Sequence, residues 1–125
     1  MTQYRLGEAE AAFAALIWDN EPLSSSRLVE LCARELEWKK STTYTMLRRL
    51  CQRGIFENRD GVVHTVLTRE EVRSRQSEEF LEENFQGSIP RFLLAAFSSR
   101  SPLSEEEIRE LEQLIRQNGE GREQP

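Results

Sequence analysis

With 125 residues, 38% of them hydrophobic and 31% charged, the chain can fill one small core and little more. Its longest apolar run, Phe92-Leu93-Leu94-Ala95-Ala96-Phe97, is far short of the ~20 residues a bilayer requires, and Met1-Thr2-Gln3-Tyr4-Arg5 lacks the pattern of a secretion signal; a cytoplasmic protein without membrane insertion is expected. A net charge of −5 argues against a non-specific nucleic-acid coat, yet residues 1–37 hold 3 cations and 7 acids, residues 38–68 hold 6 and 2, and residues 69–125 hold 8 and 13, so a net positive charge is confined to one segment.

Leu6-Gly7-Glu8-Ala9-Glu10 opens a first helix, with Gly7 as a weak cap and acids in the first turn. Ala9, Phe13, Leu16 and Ile17 form its apolar stripe, Trp18 ends it, and Asp19-Asn20-Glu21-Pro22 is the break. Ser24-Ser25-Ser26 supplies capping hydroxyls for a second helix carrying Leu28, Leu31, Cys32 and Leu36, and Glu37 and Trp38 make the next turn.

The third helix, between Trp38 and Gly54, has two unlike faces. Thr43, Leu47 and Leu50, flanked by Met46 and Cys51, recur at the spacing of a core-facing stripe. The other face carries Lys39, Lys40, Ser41, Thr42, Tyr44, Thr45, Arg48, Gln52 and Arg53, and no carboxylate occurs from Trp38 to Gly54. Surface helices ordinarily mix charges, with acids in the first turn and opposite charges four residues apart. A face of cations and short hydroxyls without acids suits a polyanion whose bases are also read: Lys and Arg hold phosphates, while Ser, Thr, Gln and Arg reach base edges in the major groove. The plain alternative is a solvated basic face.

Gly54 stands where a left-handed residue stops a helix, and Asp60-Gly61 lies between Ile55-Phe56-Glu57-Asn58-Arg59 and Val62-Val63-His64-Thr65-Val66-Leu67 as a hairpin turn. Three helices followed by a two-stranded hairpin is the winged helix-turn-helix order. Thr68 caps a fourth helix to about Phe85, with Val72, Phe80, Leu81 and Phe85 as its sparse apolar residues. Gly87-Ser88 breaks it before a compact apolar fifth helix, Ile89 to Phe97, and a Ser104-to-Glu107 capping box opens a sixth helix with Ile108, Leu111, Leu114 and Ile115, ending at Asn118-Gly119. One slender arm cannot bury Phe80, Phe85, Phe92, Leu93, Phe97, Leu111 and Leu114, whereas a second copy of the chain can, so a two-fold homodimer is expected. The expected fold is mainly α with a small β-hairpin. Residues 1–68 form a winged-helix DNA-binding domain, residues 69–118 a helical dimerisation region, and residues 119–125 a polar, disordered tail.

Thr42-Thr43-Tyr44-Thr45-Met46-Leu47-Arg48-Arg49-Leu50-Cys51-Gln52-Arg53-Gly54 resembles the T-V-x-T-x-L-x-R-L-x-x-K-G run of the penicillinase-repressor family of bacteria, the BlaI/MecI type. Leu6-Gly7-Glu8-Ala9-Glu10 before Leu16-Ile17-Trp18 resembles its L-x-x-x-E…L-W opening, and the similarity runs from Leu6 to about Gln117. The resemblance implies a dimeric winged-helix repressor on the double-stranded operators of resistance or stress genes. It also implies relief when a membrane sensor or its protease activity leads to cleavage in the dimerisation helices. The bond cut in the family joins Asn to Phe; the matching pair here is Ala96-Phe97, which lacks the Asn. Copper-responsive relatives carry a carboxyl-terminal cysteine cluster, and no cysteine follows Cys51. In the hairpin the family's Arg after the turn is Val62 and its aromatic positions hold His64 and Val66, leaving Arg59 as the main cation.

Thr42, Tyr44, Thr45 and Arg48 are therefore assigned to base edges, and Lys39, Lys40, Ser41, Arg49, Arg53 and Arg59 to phosphates. Arg49 has a second reading, an ion pair with Glu10 or Glu30, and Tyr44 a second reading as a core-edge aromatic. Cys32 and Cys51 read as small core residues, and His64 as a strand residue. A protein-interaction module without specific DNA binding is the alternative function. An enzyme is the weakest reading, because one histidine, no metal-ligand cluster and no phosphate loop leave nothing to carry catalysis, and neither a cofactor nor a metal is expected.

Overall fold

The apolar stripes of the first three helices become the inner faces of one core. The computed structural model describes the backbone of residues 3–123 and the side chains of residues 3–119. Its elements are α1 (Glu8–Asn20), β1 (Leu23–Ser24), α2 (Ser25–Leu36), α3 (Lys40–Gln52), β2 (Phe56–Arg59), β3 (Val62–Thr65), α4 (Arg69–Phe85), α5 (Ile89–Ser98) and α6 (Glu105–Glu123). Phe13, Ala14 and Ile17 of α1 are buried together with Leu28, Leu31 and Cys32 of α2, Thr43, Leu47 and Leu50 of α3, and Leu23, Ile55, Phe56, Val63 and Val72. Ala9 is exposed, since it lies in the first turn beyond the core, and Ala14 takes the inner position. Trp18 does not end α1. Its Nε1 donates to the Leu67 carbonyl at 3.1 Å and its ring lies 5.5 Å from that of Phe56, and the helix runs on to Asn20.

The sheet has three strands where the sequence predicts two. β3 is central, pairing antiparallel with β2 through Asn58↔Val63 and Arg59↔Val62, and with β1 through Leu23↔Val63 and Ser24↔Val62. A two-residue strand is too short to show alternation. Leu23 is buried as the cross-strand partner of Val63, a contact that exists only after folding. The hairpin turn itself is as expected: Asp60 and Gly61 both take positive φ, 51° and 80°, as a two-residue turn matching the strand twist requires.

Gly54 closes α3 with φ of 79°, and a Cβ built there meets nothing within 4 Å. Gly54→Ala therefore brings conformational strain without a clash, and about 1–2 kcal/mol of lost stability is expected from thermal or urea unfolding.

Thr68 caps α4 by accepting from the Glu71 amide at 3.1 Å, while the Glu71 carboxylate accepts from the Thr68 amide at 3.0 Å. The Thr68 amide, then its hydroxyl, hold the Glu71 carboxyl below its ordinary range. A depressed carboxyl stabilises the fold above its unfolded-state pKa, and this is lost as pH falls through the folded value. The stability gap between the wild type and Glu71→Gln, read by denaturant unfolding, should thus close as the solution is acidified through the carboxyl range.

Compactness divides the chain after Gly87, grouping α4 with the winged helix. The reason is local: Val72 sits in the shared core, and Arg69 pairs with Asp19 at 2.9 Å with its guanidinium 5.4 Å from the Trp18 ring centroid. In the second unit, Ser88 caps α5 and the Ser104–Glu107 box caps α6. α6 passes the stop expected at Asn118-Gly119 and continues to Glu123, because a helix accommodates an interior glycine at a cost of only ~1 kcal/mol. The end of the expected disordered tail, Gln124 and Pro125, lies outside the described residues, as do Met1 and Thr2 of the amino-terminal segment.

Candidate nucleic-acid interface

With Thr43, Leu47 and Leu50 committed to the core, helical geometry directs the opposite side of α3 outward. Ser41, Thr45, Arg48 and Gln52 follow one another at steps of four, three and four residues, and all are exposed, as are Lys39, Lys40, Thr42 and Arg49. The first turn of α3 contains no acid, so its exposed amides and the two lysines add their positive potential. The arrangement offers hydroxyl and guanidinium donors at the centre of a helix face and cations at its start, which suits base edges flanked by phosphates.

Tyr44 is half-buried at the edge of this face. Its hydroxyl lies 3.2 Å from Ser25 Oγ, and the Ser25 amide donates to the Gly61 carbonyl at 2.8 Å. One serine at the start of α2 thus ties α3 to the tip of the β2–β3 wing. By sequence Ser25 is only a capping hydroxyl; its tie to the wing depends on residues 19 and 36 positions away and leaves no local signal. Arg59 is exposed on the wing and pairs with Glu57 of the same strand, which partly neutralises the wing's main cation. His64 is half-buried opposite Glu57.

The remaining cations of α3 differ. Arg49 is 55% exposed and its Nη1 stands 3.8 Å from Glu10 Oε2, so it keeps a free side toward solvent while leaning on α1. Arg53 is turned inward, with only 20% of its side chain exposed. Its guanidinium donates to Glu10 Oε2 at 3.2 Å, to the Gln3 carbonyl at 2.7 Å and to the Arg5 carbonyl. The phosphate role expected for Arg53 competes with this placement, because each nitrogen of its guanidinium already donates to a protein acceptor and little of the side chain reaches solvent.

The residues expected at a dimer contact lie on α4, α5 and α6. Phe80 is exposed beside Phe85, their centroids 6.0 Å apart. In the second unit Phe92, Phe97 and Leu114 are exposed and Leu93 and Leu111 half-buried, and α5 buries no residue fully. Leu94, Ile89, Ile108 and Ile115 join the exposed set. Ala96 is half-buried in the last turn of α5, beside exposed Phe97.

Residues 6–117 match the sequence profile of the family described as penicillinase repressor, which takes in the winged helix and most of the carboxyl-terminal helices. The chain belongs to the penicillinase repressor family. A curated relative, the penicillinase repressor of Bacillus licheniformis, is 25% identical over 118 residues, covering 91% of each chain. In this member of the penicillinase repressor family Cys32 is buried and Cys51 half-buried, and neither forms a disulfide. Burial pushes both thiols up, opposed at Cys32 by the Thr43 hydroxyl and at Cys51 by the Asn58 backbone. Among the described residues no helix is long and apolar enough to cross a membrane, and no group of three side chains is placed to hold a metal.

Proposed function

We propose that the chain is a sequence-specific DNA-binding transcriptional repressor, acting in the cytoplasm as a homodimer on a palindromic operator. In this reading α3 lies in the major groove of each half-site and the wing follows the adjacent backbone. The observation that carries it is the exposed, acid-free face of α3 in a chain whose net charge is −5. Family membership supports the repressor role. Thr42, Thr45 and Arg48 face base edges, with Tyr44 at the edge of the same surface, and Lys39, Lys40, Ser41, Arg49 and Arg59 serve phosphates.

Dimerisation is supported by a second unit in which none of the described side chains is fully buried although many are large and apolar. A second copy placed by a two-fold axis would cover them and set two α3 helices toward successive turns of one duplex. Relief would follow loss of that contact. Cleavage at Ala96-Phe97 under a membrane sensor or protease is one route: the bond lies in the last turn of α5, where unwinding into a protease cleft is least costly.

Selection of bound duplexes from a random pool by the full chain tests the reading. Enrichment of a two-fold symmetric sequence is expected. A pool that stays unenriched would favour a protein-interaction module and overturn it.

A further inference from the structure

Residues 3–5 precede α1 and belong to no helix or strand, yet side chains from two distant elements hold their backbone. α4 grips one side. The Gln3 and Tyr4 amides donate to the two oxygens of Glu79 at 2.6 and 2.9 Å, and Gln76 Nε2 donates to the Tyr4 carbonyl at 2.9 Å. Arg75 donates to the Tyr4 hydroxyl at 2.9 Å while its guanidinium lies 5.2 Å from the Tyr4 ring centroid. On the other side Arg53, at the end of α3, donates to the carbonyls of Gln3 and Arg5 and to Glu10. Glu10 in turn accepts from the Gly7 amide at 2.9 Å, capping α1.

We propose that Arg53 is a positioning residue for DNA binding: through residues 3–5 it fixes the end of α3 to α4, and so sets the direction of α4 relative to the face that meets the groove. The inference rests on the reading of α3 as the groove-facing helix of a two-fold dimer. Guanidinium chemistry fits the task, since a planar fork of five donors can serve three acceptors at once, which an ammonium on a flexible stem cannot do in the same geometry. α4 already has one anchor at Val72 and Arg69. Glu79 lies seven residues beyond Val72, about 10 Å along the helix axis. A helix attached at one point can pivot, and one attached at two points holds its direction. Because α4 is the helix that leads out of the winged-helix unit, that direction would govern how far apart two copies present their α3 helices.

The full chain carrying Arg53→Lys, Arg53→Gln or Glu79→Gln decides the matter in two measurements. Without DNA, hydrogen exchange in Arg53→Lys and Glu79→Gln should quicken at the Gln3 and Tyr4 amides and in the second half of α4, with the core amides of α1 and α2 unchanged. Unchanged exchange in Arg53→Lys would overturn the proposal. With DNA, the duplex selected by the wild type is compared with a single half-site over a range of salt. Both Arg53→Lys and Glu79→Gln should bind the complete duplex roughly tenfold more weakly and the half-site as the wild type does, with the salt slope unaltered. If Arg53 instead held a phosphate, Arg53→Lys would bind normally, and Arg53→Gln would weaken both duplexes and flatten the slope by about 0.9 per copy. A wild type that enriches no duplex would defeat the repressor reading, and the exchange measurement would still judge the link from α3 to α4.

Discussion

Arg48→Glu should lower affinity for the selected operator at least about a hundredfold while leaving thermal unfolding nearly untouched. Arg48 is exposed on the side of α3 away from Leu47 and Leu50, and no ion pair ties it to a neighbour among the described residues. Surface substitutions of this kind shift stability by about 0.5 kcal/mol or less. Binding is another matter. An arginine that reads a base is worth about 1–3 kcal/mol of discrimination, the reversed charge adds repulsion from phosphate, and a two-fold dimer carries the loss twice. Fluorescence anisotropy with a labelled duplex and a circular-dichroism melt of the same sample separate the two effects. Full binding by the variant would remove α3 from the groove. The wild type should also show log affinity falling linearly with log salt, as phosphate contacts by several lysines and arginines require.

Leu94→Glu combined with Leu114→Glu should convert the protein to single chains of 14.6 kDa in sedimentation equilibrium, without loss of helix content. Leu94 is 69% and Leu114 55% exposed in one chain, so in an isolated chain the changes disturb little packing. In a dimer each leucine would contribute about 1.5–3 kcal/mol by burial, and each glutamate would place an unpaired charge in an apolar contact. Operator affinity should fall with the dimer, since each half-site would then be bound without the high effective concentration that linkage provides. A doubly substituted protein that still sediments at twice the chain mass would show that other surfaces make the contact.

Much of the winged helix was legible because its signals are local. Thr43, Leu47 and Leu50 reveal the inner face of α3 by spacing alone. Thr68 with Glu71 and Ser104 with Glu107 reveal helix starts, because a cap satisfies amides three residues away. Asp60-Gly61 reveals the hairpin, because few residue pairs accept two positive φ values in succession. Ser25 and residues 3–5 were not legible. Their partners are Gly61, Tyr44, Arg53 and Glu79, and nothing in a serine or a backbone amide announces which distant atom it will meet.

Residue type and short-range spacing were enough for the order of the six helices and the hairpin, the inner face of α3 and the placing of a cation-rich, acid-free helix in an acidic chain; the short strand β1 and the inward turn of Ala14 needed the fold. Tertiary structure alone decided how that helix's cations divide between solvent and protein. Arg48 and Arg53 have the same guanidinium and lie five residues apart on one helix, yet only Arg53 comes within reach of two backbone carbonyls and a carboxylate contributed from 43 to 50 residues away. A guanidinium binds phosphate, carbonyl or carboxylate by the same donors, so its role depends on which acceptor the fold brings near it.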